Sequence, residues 1–143
     1  MSKMLDCIAR NIKEYAQDAA FVALKSYEAD MKFRVHNQGL NSEGNQIGNY
    51  KSKGRWKKKR ETKGLQIGYV DLQYDGDFRD SLTTGQSKGQ AVLGYTSDLS
   101  KKIHDGQTEN FGVFSNPTTI ELRDLKDRFQ DELNGKIRKC GSR

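Results

Sequence analysis

The residues best placed by type and spacing to do chemistry lie in one run of thirteen. The segment KSKGRWKKKRETK, residues 51–63, holds Lys51, Lys53, Arg55, Lys57, Lys58, Lys59, Arg60 and Lys63 against the single acid Glu61. Its balance of +7 exceeds the formal charge of +6 for the whole 143-residue chain, so the rest of the molecule is close to neutral. A cationic charge this localised must face water, an acidic partner or a phosphate backbone. Trp56 lies within the run. A tryptophan among Lys and Arg can stack on a base while the cations neutralise phosphates, which is how single-stranded nucleic acids are held. Lys51, Lys53, Arg55, Trp56, Lys57, Lys58, Lys59, Arg60 and Lys63 are therefore the candidate contacts to a neighbouring subunit or to nucleic acid. The competing reading is a solvated loop.

The remaining reactive groups are scattered. Asp71, Asp75, Asp77 and Asp80 gather close together, and a metal-dependent nuclease would need two such carboxylates converging on a divalent ion. No Lys or His accompanies them at a recognisable spacing, and aspartates in a Gly-containing turn more often bond to local backbone and cap helices. A general base at His104 needs a nucleophile within reach and an oriented carboxylate. Asp105 is adjacent, but sequence neighbours rarely point at one ring, so His104 reads as a surface or packing residue. Ser81, Thr83 and Thr84 form no nucleophile motif, and no glycine set opens a helix as a phosphate cradle requires. The expectation is a chain that is not an enzyme and needs no cofactor or metal. Cys7 and Cys140 form neither a disulfide framework nor, with His36 and His104, a ligand cluster, which predicts a reduced protein made inside a cell. No apolar run reaches the length of a membrane span and the N-terminus lacks the apolar core of a signal peptide, so neither export nor insertion is expected.

The elements that must position these groups follow from periodicity. Length predicts one domain over residues 1–143, with a thin core, since hydrophobic residues are 34% and charged residues 31%. Over residues 4–32, Leu5, Ile8, Ile12, Tyr15, Ala19, Val22, Ala23 and Tyr27 recur at three- and four-residue spacing without Gly or Pro, which predicts a long amphipathic helix. Residues 35–54 are rich in Gly, Asn and Ser, so residues 33–64 are expected to form an extended basic loop or arm that orders only on assembly. The alternation Leu65, Ile67, Tyr69, continued by Leu72 and Tyr74 after a phase change, predicts a strand with a bulge at Gly68. A turn at 84–87 and a second strand at 88–95 follow, after a short helix or extended turn at 77–82. Thr118 and Glu121 stand at capping-box spacing beside Pro117, and Leu122, Leu125, Phe129, Leu133 and Ile137 form an apolar stripe that Gly135 weakens at its end. The predicted fold class is α+β: N- and C-terminal helices on one face of a small antiparallel sheet, with Leu125, Phe129 and Leu133 buried beside Ile8, Ile12 and Tyr15.

Taken in order, GRWKKKR at 54–60, LQYDGDFRDSL at 72–82, AVLGYTSD at 91–98, KIHDGQTENFGVF at 102–114 and SNPTTIELRDLKDRF at 115–129 resemble the tail-completion or virion-morphogenesis proteins of tailed bacteriophages. That resemblance implies a non-enzymatic structural protein of the virion: a head–tail connector, tail-completion or tail-terminator component forming a multi-copy ring at the neck. Its implied partners are portal or connector and tail proteins, other copies of itself, and genomic DNA in the channel, and its implied location is the neck or tail of a particle assembled in the host cytoplasm. The alternative is a small nucleic-acid-binding protein that uses residues 51–63 directly.

Overall fold

A computed structural model of the chain describes residues 2–73 and 75–142. Its axis is α1, Lys3–Lys32, capped by Ser2, whose hydroxyl accepts from the Leu5 amide. Ala19, Ala23, Tyr27 and Met31 recur every four residues along it and are all buried, a stripe that begins small and ends large. A π-helical turn, Phe33–Asn37, continues the helix. Within it Arg34, Val35 and His36 are all buried. A helix laid on one surface cannot bury three consecutive residues, so the chain must wrap this end on several sides.

Among the described residues, four further helices and one hairpin complete the fold. They are α2 (Arg55–Lys63), α3 (Asp77–Asp80), β1 (Leu82–Ser87), β2 (Gln90–Tyr95), α4 (Asp98–Phe111) and α5 (Thr119–Gly141). The strands pair antiparallel from Leu82↔Tyr95 to Ser87↔Gln90. Lys88 and Gly89, with φ of 51° and 76°, make the two-residue connection. Two successive positive φ values match the twist of a tight hairpin. α1 packs against α5 and against both strands. The class is therefore α+β, with two long terminal helices and a two-stranded antiparallel sheet. Tyr27, Met31, Val35, Ile47, Val70, Phe78, Leu82, Tyr95 and Phe114 form the core at the wrapped end.

Several expectations are corrected. Residues 65–71, expected to be a strand, have no regular structure. They cross the end of α1, among the described residues no strand pairs with them, and their backbone groups are met by side chains and loops, as by the Val70 amide donating to the Gly48 carbonyl at 2.8 Å. Leu72 shares that irregular path, and Tyr74 lies outside the described residues. The expected turn at 84–87 is part of β1, because Leu82 and Thr84 alternate inward; Gly85 had read as a turn but is a strand residue. The segment at 35–54 is anchored rather than detached: Ile47 is buried, and Leu40 bridges Gln46. Gly39 permits the close crossing, with φ of 67°, where a Cβ would stand 2.4 Å from the Tyr69 ring and 2.5 Å from the Val70 carbonyl oxygen. Thr118 caps α5 as its spacing suggested, accepting from the Glu121 amide, and the helix runs through Gly135. Its stripe packs on α1, but Leu125, Phe129, Leu133 and Ile137 are only half-buried, and Ile12 and Leu122 are exposed.

The cysteines are a further correction. Cys7 and Cys140 are joined by a disulfide. The reason is antiparallel packing: Asp18 pairs with Lys136 and Arg34 with Glu121, so the first turn of α1 meets the last turn of α5. Because 133 residues separate the two cysteines, the bond constrains nearly the entire unfolded chain. Chain-entropy reasoning puts that constraint at up to about 5 kcal/mol. Paired Cys7→Ser and Cys140→Ser variants should therefore lower the urea midpoint, and reductant should do the same to wild type but not to the variant.

Glu28 ties α1 to the hairpin. Its carboxylate accepts from the Thr84 amide and hydroxyl, both at 2.9 Å, and pairs with Lys25 and Lys32 at 3.1 and 3.0 Å. Burial opposes its charge, but hydrogen bonds from Lys32, Thr84 and Lys25 prevail and hold the carboxyl at about 2, below its ordinary 4.5. A folded-state value below the unfolded one stabilises the protein above about pH 4.5, and that contribution is lost as pH falls toward 2. Urea midpoints measured from pH 7 to 2.5 should fall over that window, and Glu28→Gln should start lower and fall less.

Candidate functional site

The cationic run folds as α2. Gly54 precedes it in an extended conformation and Gly64 ends it in the left-handed region, φ 76°, donating to the Arg60 and Glu61 carbonyls. The helix presents its charges unevenly. Lys51 and Lys53 in the preceding turn, and Arg55, Lys58 and Lys63 on the helix, are exposed, while Lys57 and Lys59 are half-buried. Trp56 is 61% exposed, with the Lys59 ammonium 4.9 Å from its ring centre. That cation–π contact holds one charge of the run against the aromatic face.

Arg60 departs from the set, because it points inward and is only 4% exposed. Its guanidinium donates to the Asp71 carboxylate at 3.1 Å, to the Gln66 carbonyl at 3.0 Å and to the Gln73 carbonyl, and stacks over Tyr50 at 4.9 Å. Asp71 also accepts from the Gln66 amide group at 2.7 Å, the Tyr50 hydroxyl at 3.3 Å and the Gln73 backbone amide at 3.1 Å. Both carboxylate oxygens of Asp71 are therefore occupied. Asp75 is also engaged locally, accepting from the Asp77 amide at 3.0 Å. Among the described residues no three of His, Cys, Asp and Glu converge to hold a metal ion. Asp71, considered above as a metal ligand, instead fixes α2 to the body.

His36 stands behind that pair. Its Nδ1 donates to the Asp71 carbonyl at 3.1 Å, and its ring meets Phe78 edge-on at 5.5 Å. Burial, with the nearby charges of Arg79 and Lys32, outweighs the Asp71 bond and lowers its pKa to about 4, so the ring is neutral at pH 7. It serves as a packed donor and not as a base.

A second constellation was missed from sequence. His104 Nε2 lies 2.9 Å from the Ser115 hydroxyl, and its Nδ1 lies 3.1 Å from the Asp105 carboxylate. α4, capped by Ser97 accepting from the Ser100 amide, carries His104 and Asp105. Ser115 lies in the crossing to α5, where three successive carbonyls are held: Phe114 and Asn116 by Arg34 at 3.0 Å each, and Ser115 by the Tyr27 hydroxyl at 3.2 Å. Burial, reinforced by the Glu121 charge, raises Tyr27 to about 12, so it remains a donor. The adjacency of His104 and Asp105 was visible in the sequence, but nothing in the spacing indicated that residue 115 folds back onto residue 104. Among the described residues no helix is long and apolar enough to cross a membrane.

Comparison with known protein families, curated proteins and solved structures finds no match.

Two cations of one run should thus behave in opposite ways. Arg60→Met leaves Asp71 buried without its guanidinium and should cost about 3–5 kcal/mol, whereas Lys58→Ala should stay within about 0.5 kcal/mol. Urea unfolding of both variants checks this, and equal midpoints would remove Arg60 from the scaffold.

Proposed function

We propose that the chain is a structural subunit of a tailed-phage virion, a head–tail connector, tail-completion or tail-terminator component that acts in a multi-copy ring at the neck. The observation that carries this reading is surface. A compact monomer of this mass is expected to expose about 7,500 Å², and this chain exposes 9507 Å². The excess is on the scale of a full protein–protein interface. It includes large apolar side chains left in solvent: Phe33 at 56%, Leu99 at 69%, Val113 at 50% and Ile120 at 62%. The two-stranded sheet adds an outer edge on each strand, a ready template for pairing with another chain. A subunit of this kind gains its missing burial from neighbours.

The exposed cations of α2 and its approach, with Trp56 beside them, favour nucleic-acid binding as the second reading. The two differ in stoichiometry and salt response. Sedimentation velocity at rising concentration should find a closed oligomer larger than a dimer, weakened by Ile120→Asp at an exposed apolar position. Replacing Lys51, Lys53, Arg55 and Lys58 with Ser should leave the urea midpoint unchanged and lower incorporation into particles. If the chain instead stays monomeric and binds short DNA tightly, with affinity falling roughly 500-fold between 50 and 200 mM salt as five neutralised phosphates require, the nucleic-acid reading replaces the structural one.

A further inference from the structure

Ser115, His104 and Asp105 border one cavity of about 480 Å³. Asp105 as a carboxylate can only accept, so the bond at 3.1 Å places the imidazole proton on Nδ1 and leaves Nε2 to accept from the Ser115 hydroxyl at 2.9 Å. This is the order of contacts that activates a serine: nucleophile to base, base to orienting carboxylate. The serine backbone is fixed in advance, because the carbonyls of residues 114, 115 and 116 are bonded to Arg34 and Tyr27. The ring is held as well, 5.3 Å from Tyr95 and 5.2 Å from Phe114. The cavity walls include Tyr27, Met31, Leu82 and Leu93, which suit an apolar acyl group, and Lys101, one turn before His104, brings a positive charge to the same space.

We propose that Ser115 is a reactive nucleophile that takes the acyl group of small apolar carboxylic esters, with His104 as its general base and Asp105 as a positioning residue. The Ser115 Oγ–carbonyl carbon bond forms while His104 Nε2 receives the hydroxyl proton. The ester C–O bond then breaks, and His104 returns that proton to the departing alcohol. Water, deprotonated by the same imidazole, releases the carboxylic acid and restores the serine. Lys101 faces the negative charge that develops on the carbonyl oxygen. This activity stands apart from the structural role proposed above and does not depend on it.

Asp105 has its side chain 83% exposed, so water competes for its oxygens and its contribution is modest. The test is diisopropyl fluorophosphate, with p-nitrophenyl acetate as the turnover probe; the label forms the Ser115 Oγ–P bond as fluoride leaves. Peptide mass spectrometry of the folded full chain should find one label, on Ser115, and none there after unfolding in urea. Ser115→Ala should abolish the label, and His104→Gln should slow it about 10²-fold or more. Asp105→Asn should slow it several-fold, far short of the ~10⁴-fold loss in a buried triad, with Asp105→Glu restoring part of the rate. Circular dichroism melts confirm that each variant is folded. No label on Ser115 in the folded wild type, or equal labelling of folded and unfolded chain, overturns the proposal whatever the variants do. An unchanged rate in Asp105→Asn removes Asp105 from the relay.

Discussion

The buried guanidinium of Arg34 is the contact on which the wrapped end of the molecule depends. It pairs with Glu121 at the start of α5 and donates to the carbonyls of Leu40, Phe114 and Asn116, each at 3.0 Å. One side chain thereby joins the end of α1, the loop after it, the crossing from α4 and the first turn of α5. Planar, multiply donating and always charged, arginine is suited to collecting acceptors from several segments. Methionine or leucine in the same place would fill volume but leave three loop carbonyls without partners, each a desolvation cost.

Arg60 repeats the device a short distance away. The chain crossings at 39–50, 64–73 and 112–118 contain little regular structure, and their backbone polar groups cannot be met by a sheet ladder. Two arginines, Asp71 and His36 meet many of them instead. A chain with 34% hydrophobic residues thus compensates for a thin apolar core with buried polar knots. Such knots are costly to break from one side, because the remaining partner keeps its charge in a place water cannot reach.

That design explains what could be read from sequence. α1, α5, the Thr118 cap and most of β2 declare themselves through local periodicity and capping chemistry, which need no knowledge of distant partners. The alternation at Leu65, Ile67 and Tyr69 has the signature of a strand, yet a strand needs a neighbour with free backbone groups, and the fold puts none there. Among the nine candidate contacts, Arg60 was indistinguishable from Lys58 or Lys59, since only the path of residues 66–73 turns it inward. Likewise, the bond between Cys7 and Cys140 and the meeting of His104 with Ser115 depend on how helices return on themselves, a property of topology and not of spacing.

The Cys7–Cys140 bond also determines how the molecule carries load. Because α1 and α5 run antiparallel, a residue near one end of the chain is bonded to a residue near the other. Tension applied to the two ends passes through a single covalent link. The helices, hairpin and loops between those cysteines lie outside the force path, so the fold can be tethered at both ends without being pulled open.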